Sequence, residues 1–173
     1  ALAEVTEEDP GNEPDGEIFR KGPVSIYSAA QKEIHRGVYP EEKIIQAMDK
    51  AIQFLQDESC EILYRISIFH YLIEYIHPFY DGNGRLGRFI CSYLLAQELE
   101  PVTGYRLSYT IKENVKEYYR AFSTCNDPLN RGDLTPFLQM FLGIIQESVE
   151  KLKTSLQEGF VRPNRCMDKI PQL

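Results

Sequence analysis

The chain has 173 residues, 43% of them hydrophobic, and a formal net charge of −7. This length is enough for one compact core and too short for two comfortable domains. The negative charge argues against nucleic acid or an anionic membrane as the main partner, because phosphate groups are bound through an excess of lysine and arginine. No apolar run approaches the roughly 20 residues needed to cross a bilayer. We therefore expect a cytoplasmic protein that binds neither nucleic acid nor membrane.

The first part of the chain predicts a tail followed by a small hairpin. Residues 1–16 are acidic, rich in proline and glycine, and unlike a signal peptide, which is typical of a flexible tail. The β-prone runs 24–27 and 33–38 are separated by a short connection. They predict a hairpin over about residues 22–38. His35 lies in the second run and is interpreted as a strand residue, not a metal ligand.

Two helices are predicted next. A proline followed by two acidic residues, 40–42, suits the start of the first helix, whose apolar stripe then repeats at helical spacing. The second helix is expected over about residues 60–77, because apolar residues again recur with this period and Ser59 offers an N-cap. Pro78 is expected to end it.

The segment 77–88 has the sequence H-P-F-Y-D-G-N-G-R-L-G-R. It combines a base, a carboxylate, a glycine-rich turn and two arginines. Gly82 and Gly84 flank Asn83, and this alternation predicts a nest of backbone N–H groups that binds an anion, because glycine reaches positive φ without steric cost.

A further helix is predicted from Arg85 onward, with its positive N-terminal end facing the nest. Arg85 and Arg88 are three residues apart and project from one face of its first turn. Two cations at a helix N-terminus cost some tenths of a kcal/mol each unless an anion lies between them. This placement favours a phosphate-handling site over an ordinary surface turn.

The chain beyond this helix is also predicted to be helical. Pro101 and Gly104 are expected to break it, and Thr110 to cap a new helix that Pro128 ends. Thr135, followed by proline, is expected to cap a long last helix with Gly159 as its C-cap. The fold class is thus mainly helical (all-α), with one small hairpin.

The segment 77–88 resembles the signature of the Fic family, H-P-F-x-[DE]-G-N-G-R-x-x-R, with every specified position filled. Residues 16–20 and 24–27 resemble the flap hairpin of that family. The resemblance covers about residues 16–142. It implies the Fic fold, a helical bundle with a β-hairpin flap, over residues 17–159, with a tail over 160–173.

The resemblance also implies an activity, the transfer of AMP from ATP to a hydroxyl of a target protein with the help of Mg²⁺. His77 is the candidate general base, since the pKa of histidine suits proton removal near neutral pH. Asp81 is the candidate Mg²⁺ ligand. The backbone around Gly82, Asn83 and Gly84 is expected to hold the phosphates together with two arginines, Arg85 and Arg88, of which Arg88 would reach the γ-phosphate.

Three downstream residues match positions that line the nucleoside pocket in many family members: Tyr118, Tyr119 and Asn126. A packing role is the structural alternative for the two tyrosines. His70 lies two helical turns before His77 and is interpreted as a hydrogen-bonded packing residue.

The segment 154–159 fits the inhibitory pattern of the family, [ST]-x-x-x-E-[GN]. The resemblance implies that Glu158 pairs with Arg88 and keeps the γ-phosphate from docking. Two alternatives to this pairing stay open. In the first, Glu158 is a solvated residue at a helix end. In the second, the inhibitory segment belongs to a region upstream of Gly16 that this sequence does not include.

The exposed edge of the flap, between Val24 and Val38, is expected to dock an extended segment of the target by β-augmentation. Three alternatives to AMP transfer remain: delivery of the γ-phosphate, as in the related Doc-type phosphotransferases, removal of AMP from a target, or a non-catalytic interaction module. The complete motif favours AMP transfer.

Overall fold

The computed structural model describes residues 13–27, 31, 33–99 and 101–161. Most of the two predicted tails and part of the predicted hairpin turn lie outside these residues. The elements in chain order are the strands β1 (Ser25–Tyr27) and β2 (Glu33–Arg36), then the helices α1 (Glu41–Leu55), α2 (Ile62–Ile76), α3 (Asn83–Glu98), α4 (Pro101–Glu113) and α5 (Val115–Asn126), a short 3₁₀ helix (Pro128–Asn130) and α6 (Thr135–Val161). The prediction of a mainly helical fold with one hairpin is confirmed.

The flap is an antiparallel pair of strands in which Ile26 lies opposite His35. The backbone below the flap is tied to the end of α2, since Val38 N donates to Ile76 O at 3.0 Å. Arg20 N donates to Pro78 O at 3.3 Å. The flap therefore stands directly beside the segment that follows α2.

The start of α2 differs from the prediction. Ser59 does not cap the helix, and Glu61 occupies the N-cap position without a side-chain cap. Ser59 N instead donates to the carboxylate of Asp57 at 3.0 Å. The bond closes a local turn. Aspartate side chains often bond to a backbone N–H two residues later in this way, and the turn takes the place of helix.

The region around Pro101 also differs from the prediction. Pro101 begins α4 instead of breaking the chain, because proline is tolerated in the first turn of a helix. Gly104 lies inside α4, where a Cβ atom would collide with the backbone carbonyl of Ser92. Thr110 is an interior residue whose hydroxyl donates to Arg106 O at 3.2 Å. α4 therefore occupies the region of the predicted break and packs closely on α3.

The last helix has different caps from those predicted. Thr135 is its first residue, and its N–H donates to the carboxylate of Asp133 at 2.8 Å. The helix continues past Gly159 to Val161, so the predicted C-cap at Gly159 is wrong. None of the described helices is long and apolar enough to cross a membrane.

The helix α2 lies at the centre of the fold. One group of its buried residues, including Ile66 and Tyr71, packs with residues of α3, α4, α5 and α6. Another group, including Phe69, Ile73 and Ile76, packs against α1. Full burial of each such side chain is worth about 1.5–3 kcal/mol. The end of α2, where His77 follows, is thus held firmly in place.

Candidate active site

His77 follows α2 in a left-handed conformation, with φ 53° and ψ 61°. Such a conformation costs a non-glycine residue about 1–3 kcal/mol and persists only where the surroundings enforce it. Gly37 leaves the necessary space, because a Cβ atom on it would lie 3.0 Å from the Cβ of His77.

The buried guanidinium of Arg20 holds this turn. Its Nε donates to His77 O at 2.8 Å, and its two terminal nitrogens donate to Gly22 O at 2.6 Å and to Val38 O at 2.8 Å. Burial lowers the pKa of Arg20 from its ordinary value. Charge-assisted bonds of this kind are stronger than neutral ones. Arg20 therefore fixes the backbone of His77 against the base of the flap.

The ring of His77 is placed to act as a base. Its Nδ1 lies 3.3 Å from the backbone carbonyl of Glu74, and because a carbonyl only accepts hydrogen bonds, Nδ1 carries the proton. The other nitrogen, Nε2, then has a free lone pair. Burial lowers the pKa of His77, although the Glu74 carbonyl opposes this shift. The neutral form with basic Nε2 is thus favoured at neutral pH.

A cavity of about 710 Å³ lies between the flap, the loop after α2, and α5. It brings together every predicted site residue except Asn83 and Glu158: His77, Asp81, Gly82, Gly84, Arg85, Arg88, Tyr118, Tyr119 and Asn126. The flap residues Ile26, Tyr27 and Ile34 also line it.

The glycine-rich turn has a different geometry from the predicted nest. Gly82 has a positive φ of 81°, whereas Gly84 is already helical, since α3 begins at Asn83. The first helical bond runs from Leu86 N to Gly82 O at 2.9 Å. The N–H groups of residues 83–85 therefore lack helical partners. They form a helix N-terminus at one end of the cavity, and helix N-termini are suited to bind anions.

The side chain of Asn83 is buried and does not face the cavity. Its amide oxygen accepts from Phe79 N at 2.9 Å, and its amide nitrogen donates to Phe79 O at 2.8 Å. This pair of bonds closes the loop between α2 and α3. Only the backbone of Asn83 is left to contact a phosphate.

Asp81 and Arg85 form a half-exposed ion pair at the cavity mouth, with 3.2 Å between Oδ2 and Nη2. Asp81 Oδ1 also accepts from Gly82 N at 2.6 Å. Exposed pairs contribute about 0–1 kcal/mol, so either partner can be recruited by a ligand. Within the described residues no group of three or more potential metal ligands occurs. Asp81 fits the manner in which Mg²⁺ binds through a single carboxylate and substrate phosphates.

The three predicted nucleoside-pocket residues have different roles. Tyr119 is 63% exposed, and its ring packs in an edge arrangement with that of Tyr118, with 5.5 Å between the centroids. Tyr118 is buried, and 2.7 Å separates its hydroxyl from His70 Nε2. Asn126 accepts from the Tyr71 hydroxyl at 2.6 Å. The packing interpretation of His70 is confirmed, and Tyr118 and Asn126 serve partly as supports of the pocket wall.

Comparison with known proteins identifies the family. The model of the Fic/DOC family matches residues 3–95, which is more than half of the chain. The chain belongs to the Fic/DOC family. A solved Fic family protein from Desulfovibrio desulfuricans is 28% identical, with a TM-score of 0.72 over 89% of this chain and 46% of that one. Fic-1 from Caenorhabditis elegans, at 21% identity and a TM-score of 0.60, shares the fold over 90% of this chain and 41% of that one.

Curated relatives match a smaller share of the chain. Protein adenylyltransferase fic-1 of Caenorhabditis elegans is 27% identical over 121 residues, which are 66% of this chain and 22% of that protein. Protein adenylyltransferase Fic of Drosophila melanogaster is 26% identical over 106 residues, which are 60% of this chain and 20% of that protein. The chain thus spans about a fifth of the length of these relatives.

The segment that matches the inhibitory pattern of the Fic family is not part of the cavity. Glu158 is exposed near the end of α6. Among the described residues, no ion pair joins Glu158 to Arg88. The predicted resting pair between these two residues is therefore not present in this structure.

Two residues of the site were missed by the sequence-based prediction. Arg20 was noted only as part of a flap-like segment, and Glu74 was not noted at all. A signal existed for Glu74, because it is the one acidic residue of α2 and lies three residues before His77.

Proposed function

We propose that the chain is a protein adenylyltransferase that transfers AMP from ATP to a hydroxyl side chain of a target protein. The observation that carries this proposal is the position of His77 in one cavity with the N-terminus of α3. A base with a free Nε2 thus faces a ready anion site. The names of the curated relatives in the Fic family support the same activity.

His77 serves as the general base in this reaction. Its Nε2 accepts the proton of the target hydroxyl as the hydroxyl oxygen bonds to the α-phosphorus of ATP. The bond between the α-phosphorus and its bridging oxygen breaks, and pyrophosphate leaves. The left-handed turn at His77, held by Arg20, fixes the direction of the ring. Such positioning supplies much of the rate enhancement in transfer reactions of this kind.

The phosphates are bound by the start of α3. The N–H groups of residues 83–85 point at the anion, and the arginines Arg85 and Arg88 neutralise its charge. Asp81 would hold a Mg²⁺ ion, which supplies charge neutralisation for the leaving pyrophosphate. Arg85 would then exchange its weak pair with Asp81 for the phosphate oxygens. The exposed ring of Tyr119 is available to stack on the adenine.

The target protein docks along the flap. Each strand of this two-stranded sheet keeps an unpaired outer edge among the described residues, and an extended segment can pair with such an edge. Ile26, Tyr27 and Ile34 line the cavity and are also exposed. They offer apolar contacts to the residues around the target hydroxyl, with little selectivity for sequence.

The experiment that tests the proposal compares ATP labelled at the α-phosphate with ATP labelled at the γ-phosphate. Transfer of AMP labels protein only from the first, whereas a phosphotransferase of the Doc type labels protein only from the second. The His77→Ala variant is the control for chemistry at this site. Label from the γ-phosphate alone would replace the proposed activity with phosphate transfer, and no label from either would leave AMP removal or a binding role.

A further inference from the structure

Glu74 lies one helical turn before His77 and lines the same cavity. Its Oε1 atom is buried and has no hydrogen-bond partner in the described part of the chain. An unsatisfied buried carboxyl oxygen costs free energy. A carboxyl left in this state on the wall of a binding cavity is suited to contact a ligand.

The surroundings of this oxygen are shaped by bare backbone on α3. A Cβ atom on Gly87 would lie 3.0 Å from Oε1, and one on Gly84 would lie 3.6 Å from it. The same Gly84 position is 2.9 Å from Nη1 of Arg88. The carboxyl and the guanidinium thus flank one glycine, yet the described ion pairs do not join them. The space between them adjoins the anion site at the start of α3.

Apart from Arg88, the shifts in pKa of four titratable groups near Glu74 favour their neutral forms. On α2, burial and the charge of Arg88 lower the pKa of His70 to about 3, and burial lowers that of His77. Burial raises the pKa of the Cys91 thiol on α3 and of the Tyr118 hydroxyl on α5. Arg88 is the cation that faces the carboxyl. Burial raises the pKa of Glu74 to about 7, although Arg88 opposes the shift.

We infer that Glu74 contacts the nucleotide as a neutral acid: when the triphosphate enters the cavity, the carboxyl takes up a proton from solvent and donates it as a hydrogen bond to a phosphate oxygen. An ionised carboxylate at this position would repel the phosphates and compete with them for Arg88. A protonated carboxyl has an O–H donor and removes both effects. The inference rests on the proposed function, since it takes ATP as the ligand.

The coupling predicts how ATP affinity changes with pH. Below about pH 6 the carboxyl already carries its proton, and binding takes up none. Above pH 7 each bound nucleotide takes up close to one proton, so Kd rises by up to about tenfold for each pH unit. Glu74→Gln has a neutral donor of the same shape. It is expected to bind ATP about tenfold more tightly than the parent at pH 8 and equally well at pH 6.

Isothermal titration calorimetry tests the coupling directly. The full chain is titrated at pH 8 with Mg²⁺ and the α,β-methylene analogue of ATP, which cannot release AMP, in two buffers that differ in ionisation enthalpy. We expect uptake of about one proton per nucleotide. This uptake is lost in Glu74→Gln and kept in Glu61→Gln, a matched change at the exposed start of α2.

The outcomes are distinct. Binding without proton uptake, or with the same uptake in Glu74→Gln, overturns the inference and leaves the proposed function intact. Failure of the parent chain to bind the analogue overturns both.

A second measurement uses thermal unfolding without nucleotide. Glu74 has a higher pKa in the folded state than its ordinary 4.5, so the folded state binds this proton more tightly than the unfolded state. Its contribution to stability is present below about pH 4.5 and is lost as pH rises through about 7. The difference between the Tm of Glu74→Gln and the Tm of the parent should therefore shift in favour of the variant as the pH rises from 5 to 8. A constant difference would show that Glu74 does not titrate there and would overturn the inference.

Discussion

The segment after α2, residues 77–88, and the end of α6, residues 154–159, both match short patterns of the Fic family, but their surroundings differ. The loop is tied to distant parts of the chain: Arg20 donates to His77 O at 2.8 Å, and Asn83 makes two bonds with Phe79. At the end of α6, the hydroxyls of Thr154 and Ser155 bond only to carbonyls of their own helix.

This difference shows what a sequence pattern needs before it implies a function. In the loop, the fold supplies a partner for each polar group or directs it into a cavity. At the end of α6, Glu158 is exposed, and the described ion pairs give it no partner. The following changes test whether the two segments differ as much in function as they do in structure.

The largest effect is expected from His77→Ala. The change removes the proposed base and leaves the proposed anion site at the start of α3 in place. We expect the transfer rate at saturating ATP to fall about 10²- to 10⁴-fold, with the Kd for ATP nearly unchanged. Single-turnover kinetics and calorimetry measure the two quantities. A variant that keeps full transfer activity would exclude His77 as the base.

The next effect tests the support beneath the loop. Arg20→Met keeps an unbranched apolar stem but leaves the carbonyls of Gly22, Val38 and His77 without their donor. Charge-assisted bonds are worth about 1.5–3 kcal/mol each, so we expect a loss of at least about 3 kcal/mol in the free energy of unfolding. Urea denaturation measures this loss. Arg20→Lys should recover only part of it, because one ammonium group cannot reproduce the fork of a guanidinium.

Asp81→Ala is expected to act through the metal. The variant lacks the carboxylate that would hold Mg²⁺, so the Mg²⁺ concentration for half-maximal transfer should rise at least about tenfold. Stability should change little, because the pair of Asp81 with Arg85 is half-exposed. An unchanged Mg²⁺ titration would remove Asp81 from the site.

Gly84→Ala separates binding from stability. A Cβ atom here would lie 2.9 Å from Nη1 of Arg88, so the guanidinium has to move from the anion site, and we expect KM for ATP to rise about tenfold. Alanine favours helix by about 1 kcal/mol over glycine, so Tm should not fall. Gly143→Ala is the control, since nothing lies near that position on α6. It should raise Tm without affecting KM, and a KM unchanged in both variants would contradict the placement of Arg88.

Local signals predicted much of this fold. We predicted the hairpin, the first two helices and the loop between α2 and α3. Their signals are hydrophobic periodicity, turn residues and a short motif, and each of these involves only residues close together in the chain. α4 was missed because Pro101 and Gly104 look like breakers in sequence. The role of Gly104 comes from the approach of α3, which depends on tertiary packing.

The roles of individual site residues likewise depend on partners that are distant in the sequence. The sequence placed His77 and Arg88 in the site, but not the support from Arg20, which lies 57 residues from its bond partner His77. Glu74 was missed because its unusual state comes from burial against Gly84 and Gly87. Spacing along α2 marks Glu74 as an acidic residue near His77, but it gives neither the burial of Glu74 nor the support from Arg20.

The smallest effect is expected from Glu158→Gly. If Glu158 acted as a brake on Arg88, removing it would free the guanidinium for the γ-phosphate and raise transfer. In this structure Glu158 is exposed, and the described ion pairs do not include it. We therefore expect the transfer rate at saturating ATP and Mg²⁺ to equal that of the parent chain, while the loss of helix propensity lowers stability by about 1 kcal/mol or less. Glu150→Gly, a change of the same type one turn before Thr154, is the matched control for that loss. The opposite outcome is a several-fold rise in the transfer rate in Glu158→Gly but not in Glu150→Gly, cancelled when Arg88→Ala is added to Glu158→Gly. This outcome would support inhibition by Glu158 and show that α6 reaches the site in another conformation.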